Sequence, residues 1–295
     1  MFTAIRKFFA KVFSQFYFLF PERLYLIIRY YLEMGKPLHL DNPKTMNEKL
    51  QWLKLYYRDP LLNTLVDKAE AKKDVAERIG EEYIIPTYGV WNSFDEIDFD
   101  QLPDQFVLKG THDSKSVVVC RDKSKLDWKK ARKIINASLS KNHYDKYREW
   151  AYKDVPPRVI AEKFMQDDSG EELSDYKVMC FGGEPKIIQV HHGRFSYHTQ
   201  DIYDLDWNKM DLDQGESMPP SPEEMPKPAF LEEMLGLSRT LSEGFPQVRV
   251  DWYYAENHLY FGEMTFYDAA GWDDFHPDIW NKIIGDWIVL PEKEP

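Results

Sequence analysis

Residues 248–266, VRVDWYYAENHLYFGEMTF, decide the fold because they predict a hairpin that carries acidic side chains on both strands. Two runs of β-branched and aromatic residues flank a Glu-Asn turn at 256–257. The turn brings Asp251, Glu263 and Thr265 together. Two carboxylates at one point repel each other unless a cation joins them, and Mg²⁺ prefers such oxygen ligands. On these residues alone two interpretations stay open: a magnesium site, or carboxylates that simply face solvent on the two strands.

The rest of the chain alternates between strand and helix patterns around this hairpin. Helices are predicted from residue 45 and at 67–79, 128–139 and 230–242. Further strands are predicted at 83–85, 106–109, 116–121, 158–164, 176–181 and 186–191. Segment 201–228, rich in Asp, Pro, Glu and Met, is predicted to be mobile or to cover a substrate. Helices combined with hairpins indicate an α+β fold.

Composition excludes several classes of protein. A chain of 295 residues that is 43% hydrophobic and 15% aromatic can bury a sizeable core, so it is not a disordered chain. The net charge of −12 argues against a nucleic-acid binder, because such proteins neutralise phosphates with Lys and Arg. We therefore expect no nucleic-acid partner.

The N-terminal residues 1–40 differ from the remainder in charge. They hold six basic and two acidic side chains, so this arm carries +4 and the remainder carries −16. Apolar residues recur every three or four positions from Ile5 to Phe16, which predicts an amphipathic helix. No apolar run reaches the roughly 20 residues that span a bilayer. Residues 1–35 are predicted either to contact an anionic membrane surface or to pack on the core or a partner subunit.

Ordered short motifs follow one another along the chain. They are DKAEAK at 67–72, FVLK at 106–109, AEKFM at 161–165, DYKVMCF at 175–181, VRVD at 248–251 and FGEMT at 261–265. In this order they resemble the ATP-grasp superfamily, with a layout similar to D-alanine:D-alanine ligases and ribosomal-protein glutamate ligases. More closely, GKPLHLDNPKTMNEKLQWLKLYY at 35–57, FVLKGTHDS at 106–114 and REWAYKD at 148–154 resemble the TupA-like ATP-grasp family of surface-polysaccharide synthesis.

This resemblance implies two α+β lobes with a nucleotide cleft between them. It divides the chain into the helical arm at 1–40, a pre-grasp region at 41–105, a small lobe at 106–160 and a large lobe at 161–295. The large lobe then contains the predicted Mg²⁺-binding hairpin.

The resemblance also implies nucleotide-binding roles for several side chains. Lys109 would approach the α- and β-phosphates of ATP, and Asp175 would accept the ribose hydroxyls. The remaining residues of this set are Ser114 and Lys115 in the phosphate lid, and Glu162, Lys163, Phe164 and Met165 against adenine. Lys115 and Ser116 stand where relatives carry a Gly-Gly pair, so either Lys115 replaces backbone donors or ATP is held weakly.

Catalytic and metal-binding roles fall on the central strands. The resemblance implies that Asp251, Glu263 and Thr265 hold Mg²⁺, with Thr265 in place of the usual Asn. Lys177 and Arg249 are the predicted catalytic residues, binding the transferred phosphate or the substrate carboxylate. Alternatively, Lys177 forms an exposed ion pair and Arg249 simply neutralises the acidic side chains.

The implied activity is an ATP-dependent carboxylate–amine ligase that forms an amide through an acyl phosphate. Its expected partners are ATP, a carboxylate-bearing sugar such as a uronic acid of a bacterial surface polysaccharide, and an amine. A cytoplasmic location is expected, either free or at the inner face of the plasma membrane. The alternatives are a glycosyltransferase, a phosphotransferase and a non-catalytic nucleotide-binding module.

Overall fold

A computed structural model describes residues 2–114, 116–166, 173–193, 198–215, 218–221 and 224–293. The helices are α1 (Phe2–Phe13), α2 (Glu22–Met34), α3 (Met46–Tyr56), α4 (Leu61–Val66), α5 (Glu70–Ile79), α6 (Trp128–Leu139), α7 (His143–Tyr147), α8 (Leu231–Ser242) and α9 (Ile279–Trp287). The strands are β1 (Thr87–Trp91), β2 (Phe106–Gly110), β3 (Val117–Cys120), β4 (Val159–Lys163), β5 (Asp175–Phe181), β6 (Glu184–His192), β7 (Thr199–Tyr203), β8 (Asp213–Gln214), β9 (Gln247–Ala255), β10 (His258–Thr265) and β11 (Phe275–His276). Helices and antiparallel sheets confirm the predicted α+β class.

The first sheet, in the order β1-β4-β2-β3, separates an apolar face from a charged one. Phe106, Leu108 and Ala161 are fully buried in a core that includes residues of α6. Because neighbouring side chains on a strand point to opposite faces, Lys109 and Glu162 lie on the other face. This charged face forms one wall of the candidate site.

The second sheet, in the order β10-β9-β5-β6-β7, has the same division. On β9, Val250 and Trp252 are completely buried, and the Trp252 indole N–H donates to Ser238 of α8 at 2.8 Å. The intervening side chains, Arg249 and Asp251, therefore lie on the face away from α8. The two sheets thus each present charged side chains on one face.

The helix predicted from residue 45 is confirmed as α3, which begins with a capping box. The Thr45 hydroxyl accepts from the Glu48 N–H at 3.3 Å, and the Glu48 carboxylate accepts from the Thr45 N–H at 3.1 Å. The strand predicted at 83–85 is wrong, because Glu81–Tyr83 forms a 3₁₀ turn. Ile84 forms only an isolated bridge with Phe261, and the first strand, β1, begins at Thr87.

The N-terminal arm folds as helices against the rest of the chain. In α1, Ala10 is fully buried and Phe13 stacks on Tyr25 of α2 with ring centroids 5.3 Å apart. The Arg6 guanidinium donates to the Leu32 carbonyl at 3.1 Å. Within the described part of the chain, none of the helices combines the length and the apolar character that crossing a bilayer requires.

Candidate active site

The β9–β10 hairpin brings the predicted metal ligands together. Asp251 lies directly opposite Glu263 and Arg249 lies opposite Thr265. A register shift between Phe261 and Glu263 places a bulge beside this pair of carboxylates. The hairpin thus positions all four polar side chains within one short stretch of sheet.

Asp251 is held by two cations from its own sheet. Its carboxylate accepts from Arg249 Nε at 2.6 Å and Nη2 at 2.8 Å, and it also accepts from Lys177. Burial would raise the pKa of Asp251, but Arg249 and Lys177 lower it to about 2. Asp251 therefore stays ionised, with both of its oxygens already in ion pairs.

Glu263 is more open and more loosely paired. Its side chain is 37% exposed, and Lys68 Nζ and Arg249 Nη2 each lie 3.7 Å from a carboxylate oxygen. Burial would raise the pKa of Glu263, but Lys68 in particular lowers it overall. Thr265 Oγ1 lies 3.5 Å from the same carboxylate and accepts from Arg249 at 3.2 Å. Of the two facing carboxylates, Asp251 and Glu263, Glu263 is therefore the one more available to a ligand.

Opposite the hairpin, the first sheet presents a buried charge network. Glu162 accepts from Lys109 at 2.8 Å and from Lys72 at 2.5 Å. Burial would raise the pKa of Glu162, but these two lysines lower it to about 2. Burial lowers the pKa of Lys109, but Glu162, helped by Glu263 and Asp175 of the second sheet, raises it overall. The charged form of Lys109 is thus stabilised by carboxylates of both sheets.

The residues predicted to contact adenine do not share one environment. Glu162 is buried with its lysines, whereas Lys163 pairs with Glu256 at 2.6 Å near the surface. Phe164 lies under Arg121, 5.5 Å from the guanidinium carbon to the ring centre. Met165 is buried in a small apolar group that includes Ile85 and Ala255.

The predicted ribose and phosphate residues of β5 are both buried. Asp175 is 1% exposed, and one of its oxygens lies 3.0 Å from Lys177 Nζ. The ion pair of the alternative is therefore present, but it is buried and not exposed, since Lys177 lies between Asp175 and Asp251 in the interior. Lys177 and Arg249 are both engaged with carboxylates.

The predicted phosphate lid is described in part. Ser114 is exposed, and Lys115 lies outside the described residues. The neighbouring Asp113 is buried and accepts from Ser116 at 2.5 Å and from Ser138 at 2.8 Å. Those bonds tie the turn to α6.

Sequence reasoning missed three charged residues of the site. Lys68 donates to the Asp113 carbonyl at 2.5 Å and lies beside Glu263, and Lys72 pairs with Glu162. The DKAEAK motif held the signal for both lysines, four residues apart, but their targets lie far along the chain. The third is Asp268, which pairs with Arg249 from the loop after β10.

Of the three predicted metal ligands, only Glu263 and Thr265 on β10 have oxygen atoms that are available to bind a hard cation such as Mg²⁺. Among the described residues, no group of three or more His, Cys, Asp or Glu side chains could hold a metal ion. The predicted set has two carboxylates and a hydroxyl, all oxygen donors, which fits Mg²⁺ when water or phosphate oxygens complete its shell. Glu263 and Thr265 are partly exposed and fit this role, whereas Asp251 would first have to release Arg249 or Lys177.

Two clefts flank the predicted adenine segment. One, of about 790 Å³, is lined in part by Lys72, Thr87 and Ile160. The other, of about 640 Å³, is lined in part by Lys163 and Phe164. Both volumes fall in the range of small-molecule sites. The hairpin carboxylates line neither of these two clefts.

Two antiparallel sheets that each present charged side chains, with Lys68 beside Glu263 and Lys109 paired with Glu162, form the arrangement expected of an ATP-grasp protein. The chain belongs to the TupA-like ATP-grasp family, whose sequence profile matches residues 48–289. No curated protein sequence matches the chain significantly.

Solved structures of similar fold include several ATP-grasp enzymes. The D-alanine–D-alanine ligase of Bacillus anthracis in complex with ATP is 16% identical, with a TM-score of 0.43 over 77% of this chain and 65% of the ligase. N5-carboxyaminoimidazole ribonucleotide synthetase of Thermus thermophilus is 11% identical, with a TM-score of 0.41 over 75% and 51% of the two chains. The ATP-grasp ligase PsnB with minimal precursor, Mg and ADP is 8% identical, with a TM-score of 0.39 over 75% and 58%. The chain therefore spans less than two thirds of each of these proteins.

Proposed function

We propose that this protein is an ATP-dependent carboxylate–amine ligase that forms an amide through an acyl phosphate. The observation that carries the proposal is a pair of lysines near the loosely paired Glu263. Lys68 Nζ lies 3.7 Å from its carboxylate, and Lys109 of the first sheet is near enough for Glu263 to raise its pKa. Fixed cations next to a carboxylate that is open to a metal are what the binding of a nucleotide triphosphate needs.

Each residue has a distinct part in this proposal. Lys68 and Lys109 offset the charge of the phosphates, and Glu162 orients Lys109 by its ion pair. Glu263 and Thr265 would hold Mg²⁺, which supplies charge stabilisation when phosphate is transferred. Asp251 contributes through Arg249, which it fixes in place.

The chemistry then proceeds in two steps. A substrate carboxylate oxygen attacks the γ-phosphorus of ATP, the bond to the β-phosphate oxygen breaks, and ADP leaves. An amine next attacks the acyl carbon, loses a proton, and displaces inorganic phosphate to leave an amide. Following the resemblance described in the sequence analysis, the proposed carboxylate belongs to a uronic acid of a surface polysaccharide, and its partner is an amino acid or another amine.

Ligand-induced stabilisation tests the nucleotide site first. A ligand that binds only the native state at a concentration 100 times its Kd stabilises it by about 2.7 kcal/mol. We expect ATP with Mg²⁺ to raise the melting temperature, and Glu263→Gln to remove the Mg²⁺-dependent part. Glu232→Gln, on the exposed side of α8, is the matched control and should retain it. Stabilisation by UDP-sugars without any by ATP would favour a glycosyltransferase instead.

Product analysis then separates the remaining alternatives. A ligase releases inorganic phosphate and ADP only when both a uronic acid and an amine are present. Phosphate that stays on the acceptor would indicate a phosphotransferase. ATP binding without turnover for all tested uronic acids and amines would indicate a nucleotide-binding module.

We also propose that residues 1–35 place the enzyme on an anionic membrane surface from the cytoplasmic side. The outer side of α1 and the turn that follows it are apolar: Phe8 is 62% exposed, Phe9 55% and Phe16 47%. The exposed side chains Lys7 and Lys11 neighbour this stripe. Apolar burial combined with attraction to anionic lipid is how interfacial helices bind.

A further inference from the structure

The loop after β10 contains three consecutive residues with left-handed backbone conformation. Ala269, Ala270 and Gly271 have φ angles of 46°, 56° and 65°. A left-handed conformation at a residue other than glycine costs on the order of 1–3 kcal/mol and persists only where the surroundings enforce it. Asp268–Gly271 is therefore a strained turn that requires support from outside.

That support comes from α3. The Gln51 side-chain amide donates to the carbonyls of Ala270 and Gly271 at 3.0 and 3.1 Å, and Lys54 Nζ donates to the Ala270 carbonyl at 2.8 Å. Both side chains are buried, and Lys54 Nζ also lies 4.7 Å from the centre of the Trp272 ring. A Cβ atom on Gly271 would come within 2.5 Å of the Gln51 amide nitrogen. The helix and the turn therefore interlock.

This turn also places the Asp268 carboxylate beside Arg249 of the candidate site. Asp268 is 3% exposed, and one of its oxygens accepts from Arg249. Its other oxygen accepts from the Gln214 side chain at 2.8 Å. Arg249 is thus held between Asp251 and Asp268, while its Nη2 stays 3.7 Å from Glu263.

We propose that Gln51 and Lys54 are positioning residues that hold Asp268 in place, so that Asp268 draws Arg249 away from Glu263 and leaves Glu263 open to a divalent cation with its nucleotide. A buried guanidinium that loses one carboxylate partner turns to another, because an unpaired buried charge is costly. Without the turn, that other partner is Glu263. This role rests on the proposed nucleotide site, but the interlock itself does not.

The interlock is tested by amide hydrogen exchange on the full-length protein without ligand. The Ala270 N–H bonds to the Tyr267 carbonyl and the Trp272 N–H to the Ala269 carbonyl, so both report on the turn. We expect Lys54→Met and Gln51→Met each to speed exchange in residues 268–272 by about tenfold or more. Lys49→Met is the matched control, since Lys49 lies on the same helix but donates to the Ile288 carbonyl at 2.8 Å. Equal exchange rates in Lys54→Met, Gln51→Met and wild type would overturn the interlock.

The effect on the site is tested by titrating Mg²⁺ at fixed ADP and following binding by calorimetry. Lys54→Met should raise the Mg²⁺ concentration needed for half-maximal binding by about threefold to tenfold, with ADP affinity in EDTA unchanged. A merely structural role would weaken both. Asp268→Asn should have the same effect as Lys54→Met, and the double variant should be no worse than Asp268→Asn alone, because both act through Arg249.

The two ways to fail are distinguishable. The positioning role would be refuted if Lys54→Met and Asp268→Asn had additive effects on the Mg²⁺ concentration needed for half-maximal binding. It would also be refuted if Lys54→Met left that concentration unchanged. If wild type binds no ADP with Mg²⁺, the proposed function fails, and the exchange experiment still decides whether α3 supports the turn.

Discussion

Lys54 is an ammonium group in an environment that disfavours charge. It is 1% exposed, and burial lowers its pKa to about 7, with Arg29 acting in the same direction and Glu149 opposing them. The carbonyl bond and the Trp272 ring described above compensate it in part. At the scale of one residue, the turn that carries Asp268 is held by Lys54, a lysine whose charged form is disfavoured by burial.

This lowered pKa predicts how stability depends on pH. Between pH 7 and the usual Lys value of 10.5, the folded protein binds fewer protons at Lys54 than the unfolded chain does. Raising the pH through that window therefore favours the native state at this residue. We expect wild type to become more stable relative to Lys54→Met as the pH rises from 7 to 10, with both unfolding free energies measured by urea denaturation.

Two comparisons make the measurement decisive. Burial also lowers the pKa of Lys49, but Lys49 is only partly buried, so Lys49→Met should show a smaller shift in the same direction. A wild-type-minus-Lys54→Met difference that is flat across the window would mean that Lys54 is charged in the folded protein at all of these pH values.

At the scale of the element, the hairpin depends on a close approach at its bulge. Gly262 lies where the β9–β10 register shifts, and a Cβ there would come within 3.0 Å of both the Asp251 carbonyl oxygen and the Tyr253 ring. Its neighbour Glu263 is the proposed metal ligand. Because Gly262 has no side chain, β9 and β10 can approach closely here, and this approach fixes the distance between the Asp251 and Glu263 carboxylates.

We predict that Gly262→Ala destabilises the protein by about 1–3 kcal/mol, because neither the backbone nor the ring can move away cheaply. The same displacement should weaken Mg²⁺-dependent ATP stabilisation. Gly236→Ala is the matched control: apart from its chain neighbours and its own helix backbone, no atom lies within 4 Å of its Cβ position on α8, so it should stabilise by about 0.5–1 kcal/mol. Denaturant titration of both variants checks this, and a Gly262→Ala protein as stable as wild type would contradict the close-packed bulge.

At the scale of the whole molecule, charge and exposed apolar surface are separated. The arm carries +4 and the remainder −16, and many of the exposed large apolar side chains lie in the first 31 residues. We expect an anionic surface to orient such a molecule, with the arm toward it and the acidic remainder away from it.

We predict that the protein sediments with phosphatidylglycerol vesicles and not with phosphatidylcholine vesicles, and that binding falls between 0.1 and 1 M salt as the Debye length drops from about 10 to 3 Å. Replacing Phe8 and Phe9 by Ser should reduce binding about tenfold or more, because apolar burial is lost. Val289→Ser, at a side chain that is 76% exposed elsewhere, should not. Vesicle binding by the Phe8/Phe9 variant equal to that of wild type would refute the membrane role.

The sequence by itself determined the α+β class, the hairpin of β9 and β10 and the family, because these depend on local periodicity and on the order of short motifs. It also predicted that Asp251 and Glu263 would meet, since one turn joins their strands. The sequence also offered Arg249 as a partner that neutralises these acids. Only the tertiary structure showed that Lys68 lies beside Glu263 and that Asp268 pairs with Arg249. These pairs join segments that are distant in the chain or lie in different elements, and an ion pair across the fold leaves no periodic signal in sequence.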